Sequence, residues 1–509
     1  MATPLSLLSC SPGNSCVDSY PFTLQASFSA PSASPPFLQH VVCNSTASRL
    51  CVSSSSRSLL FLDPFTFSPT SEIPFAHASQ ITHLSFFSSS PHVLASASQD
   101  GTVRLWDSRL PSAAPCVGTL RLAPAGSTDA EVWTVSLNSS DSLLATSVKN
   151  ICWLFDLRGG VKSCSGREEA SAQAPCSGRR KKGKDKKAEF GPQNALARVE
   201  AHSDTVTALL FHPTADHLLF SGAEDQLVCV YDLTRGKWNG DLPSSSAPAA
   251  PGGDSDDLPD EEEDRMMVGC FSHGRPVKNL SVLGPEDDCI CVTSPMEDVA
   301  LWHLSGLAQK FASAEREEEM ETDGELNGQR ENAGWQIEKK ADWQQLRNHP
   351  ALTVAESGGC IIESFYEHAS GRLFLLAGSV EGNLVLFHAN LDGLLPAAQF
   401  AVPPTRSGHT GLVRDATTIP SSFSSSAAHL AFPAGAPFSS FVVVTCGEDG
   451  RLCAWKQELA DEEDSRVAPA KQKRLNIRNH RWPKGDSSRD ADTPGGSPFN
   501  SNHGRCAPY

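Results

Sequence analysis

The chain has 509 residues, 39% of them hydrophobic, and a formal charge of −17 at neutral pH. That length suits two or three ordinary domains or one large repeat array, and the acidic balance argues against a surface that coats nucleic acid. The 16 cysteines are scattered without a C-x-x-C pair, so free thiols in a reducing compartment are expected and a zinc knuckle is not, even at Cys289 and Cys291.

The opening residues carry no basic run and only a short apolar one, so no signal peptide is expected and 1–19 reads as disordered. No stretch of about 20 apolar residues is present to span a membrane. The expected location is therefore the nucleus or cytoplasm, not the secretory route, and the Asn-x-Ser/Thr triplets at Asn44, Asn138 and Asn279 are chance matches. Phe22 to Phe28 alternates as a strand should. A first strand–turn–strand unit follows from Leu50 to Asp63. The second, Leu94 to Asp107, is the clearest: two strands around an Asp-Gly turn. A third, Leu144 to Asp156, is shortened and lacks the turn aspartate. The fourth runs from Leu219 to Asp232, and the fifth, Cys291 to Trp302, carries Met296 at the turn. The sixth, Leu376 to Phe387, has Glu381 for the aspartate and Phe387 for the tryptophan. The seventh, Val443 to Trp455, stops at what should be a third strand, and Phe22–Phe28 is expected to supply the missing fourth.

Long segments interrupt the units. Residues 159–195 hold the basic run Arg179–Lys187, 239–265 turn acidic from Asp254 to Asp264, 312–348 open with Glu315–Glu319, and 420–440 are rich in Ser, Ala and Pro. All read as solvated loops, and 457–509, with a lesser basic cluster at Lys471–Arg474, reads as a disordered tail. The basic run suits a nuclear localisation signal, a nucleic-acid contact or a plain solvated loop. Neither basic cluster interleaves aromatics, so direct nucleic-acid binding is not expected. The acidic runs suit basic partners such as ribosomal proteins or histones, or solubility alone.

Spacing sets three units apart. Ser96, Asp100 and Trp106 are separated by four and six residues, and so are Ser221, Asp225 and Tyr231, and Thr445, Asp449 and Trp455. A histidine precedes each set: His77, His202 and His409. Serine, histidine and aspartate would suit a hydrolase triad, but an enzyme needs one such site, and three copies mark architecture. This Gly-His to Trp-Asp frame resembles the WD-repeat family. The resemblance implies an all-β, seven-bladed propeller over 20–456, in which those His, Ser/Thr, Asp and Trp/Tyr residues form a buried hydrogen-bond network in each blade. It also implies a scaffold that binds proteins, without catalysis or a cofactor, as a monomeric propeller within a complex.

Two residues beyond the repeats stand out. Trp106-Asp107-Ser108-Arg109 and Phe155-Asp156-Leu157-Arg158 close consecutive units. These endings resemble the box of cullin-4 ubiquitin-ligase substrate receptors, which implies that Arg109 and Arg158 would contact the ligase adaptor. The plain alternative is an arginine paired with a nearby carboxylate. An enzyme on a propeller is the remaining class, but the chain has no Gly-rich phosphate loop, His-Glu-x-x-His or G-x-S-x-G motif.

Overall fold

Period-two alternation broken by tight turns makes short antiparallel strands, each too narrow to bury both faces unless sheets stack. The computed structural model describes residues 22–29, 35–111, 115–122, 131–158, 195–236, 266–284, 287–305, 336–344, 346, 349, 359–367, 372–390, 393–420 and 441–457. The basic run, the acidic runs, 1–19 and the tail beyond 457 lie outside the described residues.

Strand β1 (Phe22–Ser29) comes first in the chain. Blade 1 then contains β2 (Leu38–Cys43), β3 (Leu50–Ser54), β4 (Leu59–Leu62) and β5 (Pro69–Ile73). Blade 2 contains β6 (Ile81–Phe86), β7 (Val93–Ser98), β8 (Thr102–Asp107) and β9 (Cys116–Arg121). Blade 3 is built from β10 (Val132–Leu137), β11 (Leu143–Val148), β12 (Ile151–Asp156) and β13 (Ala197–Val199). In blade 4 the strands are β14 (Val206–Phe211), β15 (Leu218–Ala223), β16 (Leu227–Asp232) and β17 (Met267–Ser272). Those of blade 5 are β18 (Asn279–Leu283), β19 (Cys289–Thr293), β20 (Val299–Ser305) and β21 (Gln336–Trp343). Blade 6 has β22 (Cys360–Glu367), β23 (Arg372–Gly378), β24 (Leu384–Asn390) and β25 (Gly393–Ala401). Blade 7 has β26 (Val413–Pro420), β27 (Phe441–Gly447) and β28 (Arg451–Gln457), and takes β1 as its outer strand.

The ring closes through β1. It runs antiparallel to β28, with Leu24 opposite Trp455, and its start pairs in parallel with β25, with Phe22 opposite Phe400. Blades 6 and 7 therefore share one eight-stranded sheet. Phe22 is the anchor: it is fully buried, and its ring stacks on Phe400 at 5.1 Å. Phe28, further along the strand, is only half-buried.

Each inner strand packs on the next, from β2 through β6, β10, β14, β18 and β22 to β26, and β26 packs on β2. The core is correspondingly divided. One apolar cluster fills each junction between neighbouring blades, such as Phe61 and Leu59 of blade 1 against Leu94 and Trp106 of blade 2. Burial between blades, rather than around one centre, is what the repeat architecture requires.

Within a blade the first and third strands run the same way. The turn between strands two and three therefore lies on the same face as the connection to the next blade, here called the upper face. Each of these seven turns holds one residue in the left-handed region: Arg57, Gly101, Lys149, Gln226, Glu297, Gly382 and Gly450. Only three are glycine, the residue that adopts this conformation without steric cost.

One expected boundary needs correction. Residues 312–348 are not all loop, because Gln336–Trp343 is the outer strand β21, paired with β20. An outer strand packs one face only, so Glu338, Lys339 and Lys340 conceal a sparse apolar period of Ile337, Ala341 and Trp343. Trp343 is buried, and its Nε1 donates to the Asn390 carbonyl at 3.1 Å.

Candidate functional site

The histidine sets meet in blades 2, 4 and 7. In blade 2, Trp106 Nε1 donates to Ser96 Oγ at 2.8 Å, and Ser96 Oγ lies 2.6 Å from His77 Nε2. His77 Nδ1 lies 3.0 Å from Asp100 Oδ2, which also accepts the Ala78 N–H at 2.9 Å. An indole N–H can only donate, so Ser96 Oγ accepts from Trp106; with His77 neutral, the serine hydroxyl donates onward to Nε2 and Nδ1–H donates to the carboxylate. Burial lowers the His77 pKa against the opposing pull of Asp100. Burial alone would raise Asp100, but hydrogen bonds from His77, Thr102 and the Ala78 N–H outweigh it and hold the carboxyl well below the usual range.

Blades 4 and 7 repeat this geometry. His202 Nε2 is 2.6 Å from Ser221 Oγ and its Nδ1 is 3.0 Å from Asp225 Oδ2, while Tyr231 stands where the indole does and its Oη accepts from Ser221 Oγ at 3.2 Å. His409 Nε2 is 2.8 Å from Thr445 Oγ1, Trp455 Nε1 donates to the same oxygen at 2.8 Å, and Nδ1 faces Asp449 Oδ1 at 3.1 Å. Ser203 N and Thr410 N complete the carboxylate contacts. Ser96, Ser221 and Thr445 are fully buried, so no substrate reaches these hydroxyls. Chemically the sets tie the loop entering a blade to the turn within it.

Two segments, residues 68–107 and 193–232, match the family model described as WD domain, G-beta repeat. The chain contains WD40 repeats. Over 391 residues it is 22% identical to WD repeat-containing protein GTS1 of Arabidopsis thaliana, covering 75% of this chain and 71% of that protein. Over 165 residues it is 24% identical to Histone acetyltransferase type B subunit 2 of Candida glabrata, covering 32% of this chain and 30% of that protein. WD40 propellers are generally protein-binding scaffolds and usually non-catalytic. Among the described residues no helix is long and apolar enough to cross a membrane.

Two of the blades without a histidine set use other ties. In blade 3, Asn150 Nδ2 donates to the His202 carbonyl at 3.1 Å. In blade 5, Glu297 occupies the left-handed turn position and accepts the Ile361 N–H of blade 6 at 2.5 Å. Lys278 completes that tie, donating to the Ile361 carbonyl at 3.0 Å and sitting 3.8 Å from Glu297. Arg275 joins Asp298 at 3.1 Å to Asp342 of β21 at 3.5 Å.

The inner strands also bring together four ionisable groups far apart in sequence. His40 Nδ1 lies 3.8 Å from Asp415 Oδ2, which accepts the Val41 N–H at 2.9 Å. Their side chains keep 29% and 22% of their surface. Even so, they sit among the inner strands, largely surrounded by protein, where charge is poorly solvated. Burial lowers His40 to about 3 and His83 to about 4. Burial, reinforced by mutual repulsion on the Glu363 side, raises Glu363 to about 8, and burial raises Asp415 to about 7. Sequence reasoning missed this cluster because nothing local marks it.

The lower face carries the two arginines. Arg109 folds back on Asp107, with Nε at 3.0 Å from Oδ1 and Nη2 at 2.7 Å from Oδ2. Arg158 does the same with Asp156 at 3.1 and 2.8 Å. Each arginine forms its own fork with the aspartate two residues before it. Neighbouring blades are stapled on this face by turns between their first two strands. Asn44 Nδ2 donates to the Pro91 carbonyl at 2.8 Å, Ser88 N donates to Asp141 at 2.8 Å, and Ser139 N donates to Asp216 at 3.0 Å. Asn44 and Asn138 are buried, each accepting two backbone N–H groups of its own turn. Their only signal in the sequence is the shared Asn-Ser beginning of the two turns.

Proposed function

We propose that this protein is a non-catalytic scaffold that binds other proteins through the upper face of its propeller. One observation carries the reading. Met296 of blade 5, Val380 of blade 6, Val402 before blade 7, Phe37 before blade 1 and Phe75 before blade 2 are all exposed on that face. They follow one another across adjacent blades. Phe75, with 71% of its surface open, is braced by the Arg57 guanidinium 5.6 Å from its ring centre. Large apolar side chains held out by otherwise ordered turns are the mark of a protein contact surface. The experiment compares proteins co-purified by the wild-type chain and by Phe75→Glu plus Val380→Glu, with circular dichroism as the check on folding. Selective loss of a defined partner set supports the reading; an unchanged set from a folded variant overturns it.

A second reading is that of a cullin-4 substrate receptor. Its support is the Trp/Phe-Asp-x-Arg ending of two consecutive blades, whose guanidinium groups stay exposed although each is forked onto its own carboxylate. Its test is recovery of the damaged-DNA-binding adaptor with Arg109→Ala plus Arg158→Ala; equal recovery removes it. The layout also resembles that of WD repeat-containing protein 89, through Met296-Glu297 ahead of Leu301-Trp302 and the Gly408-His409 to Trp455-Lys456 blade. We place the protein in the nucleus or cytoplasm, as a monomeric propeller over 20–456 within a larger complex. Deleting residues 179–187 and following nuclear distribution tests the nuclear part.

A further inference from the structure

Most described cysteines are buried in the junctions between blades, as small apolar side chains. Two form an exception. Cys229 of β16 and Cys270 of β17 are directly opposed across the antiparallel pair, with their sulfurs 3.4 Å apart. Cys229 is 1% exposed and faces the cluster between blades 3 and 4, whereas Cys270 is open to solvent. Among the described residues no third His, Cys, Asp or Glu joins them in a metal-binding group.

Register decides what this pair can do. His273 N donates to the Gln226 carbonyl at 2.9 Å, which makes Gln226 and His273 a hydrogen-bonded pair. Pairs alternate along an antiparallel ladder, so Cys229 and Cys270, three steps on, form a non-hydrogen-bonded pair, whose side chains approach most closely. The Cα separation of such a pair, about 4.5 Å, falls within the range a disulfide spans. The sulfurs need only turn toward each other.

We propose that Cys229 and Cys270 form a peroxide-oxidisable dithiol on the outer edge of blade 4. Cys270 is the attacking sulfur, because it is open to solvent and the hydrogen bond from Cys229 pulls its thiol down. The same bond, with burial, pushes Cys229 up and keeps it a protonated reserve. In the first step the Cys270 thiolate attacks a peroxide oxygen. The O–O bond breaks, hydroxide leaves and takes up a proton as water, and a sulfenic acid remains. In the second step the Cys229 sulfur attacks the sulfenic sulfur. The S–O bond breaks, and the departing oxygen leaves as water with the Cys229 proton. Two thiols lose two electrons, and one hydrogen peroxide becomes two waters. The new bond pins β17 to β16 and closes a loop of chain containing the acidic run from Asp254 to Asp264. In a reducing compartment it is a transient state, reversed by thiols.

The test treats the reduced full-length protein with graded hydrogen peroxide, alkylates it and digests it with trypsin without reductant. Cys229 falls in the peptide Val199–Arg235 and Cys270 in Met266–Lys278, because Arg275 precedes a proline. The expected result is one cross-linked species of these two peptides, abolished by dithiothreitol and absent from Cys270→Ser. A Cys116→Ser control, at the other exposed described cysteine, retains it. Thermal melting of Cys270→Ser under reducing conditions should match wild type, showing that the loss is chemical. Three outcomes would overturn the proposal. Cys270 could be recovered as sulfinic or sulfonic acid beside a free Cys229, or linked to a different cysteine, or both could stay free once Cys116 is oxidised.

Discussion

Blades 2, 4 and 7 carry the His–Ser/Thr–Asp set, whereas blades 3 and 5 hold the same kind of turn by other means. The two groups share the apolar junctions and the left-handed turn residue but differ in how the incoming loop is tied down. A histidine set satisfies its polar groups inside one repeat. The substitutes reach into the next blade: Asn150 to the His202 carbonyl, and Glu297 with Lys278 to the Ile361 backbone. Apolar burial between blades is thus the common requirement, and the buried network is one of several ways to fix loop position.

The largest expected effect comes from the closure strand, which serves both a network blade and its neighbour. Phe22→Asp places an unpaired charge in a fully buried site and removes a ring, a loss of about 3–5 kcal/mol. Chemical denaturation should show the whole propeller destabilised, and Phe28→Asp should cost clearly less. Equal effects would mean that the pairing with β25 contributes nothing.

Next comes the network itself. His77→Ala leaves Ser96 and Asp100 buried without their partner, at roughly 2–3 kcal/mol, whereas Asn150→Ala in blade 3 removes one half-buried bond at about 1 kcal/mol or less. A double-mutant cycle between His77 and Asp100 should show coupling; additive losses would reduce the network to packing.

Smaller still are the pH effects. Asp100 has its ordinary value of 3.8 when unfolded and a depressed one when folded. The stability it provides is therefore present above about pH 4 and is lost as pH falls through the folded value. Asp100→Asn should flatten the acid limb of a melting-temperature profile. Glu363 behaves in the opposite sense. Raised from 4.5 to about 8 by burial and by Asp415, it contributes stability that is present below its unfolded value and lost as pH rises through the folded one. Glu363→Gln should flatten the decline in stability between about pH 4.5 and 8.

The smallest effect separates the network blades from one another. Gln226 sits left-handed where blades 2 and 7 have Gly101 and Gly450. Gln226→Gly should stabilise blade 4 by about 0.5–1 kcal/mol, read as a rise in denaturation midpoint. A fall would show that the glutamine side chain contributes a contact that outweighs its backbone strain.

The sequence alone determined the strand units, their count and the membership of the three histidine sets. Each rests on local alternation, turn chemistry or a fixed spacing within one repeat, and such signals survive in the chain. It also marked Phe22–Phe28 as a strand, but not that Phe22 rather than Phe28 is the buried anchor. That depends on β1 lying between β28 and β25, partners that come from the other end of the chain. The tertiary structure alone decided the strand at Gln336–Trp343, where an outer edge buries only one face and leaves a weak period. It alone showed left-handed positions at Arg57, Lys149, Gln226 and Glu297, because the tight turn between paired strands imposes that conformation whatever residue occupies it. Likewise, the inner-strand acids Glu363 and Asp415 and the Cys229–Cys270 pair meet only when separate strands come together. Sequence reports what a repeat does within itself; closure and cross-strand chemistry belong to contacts between segments that no local pattern records.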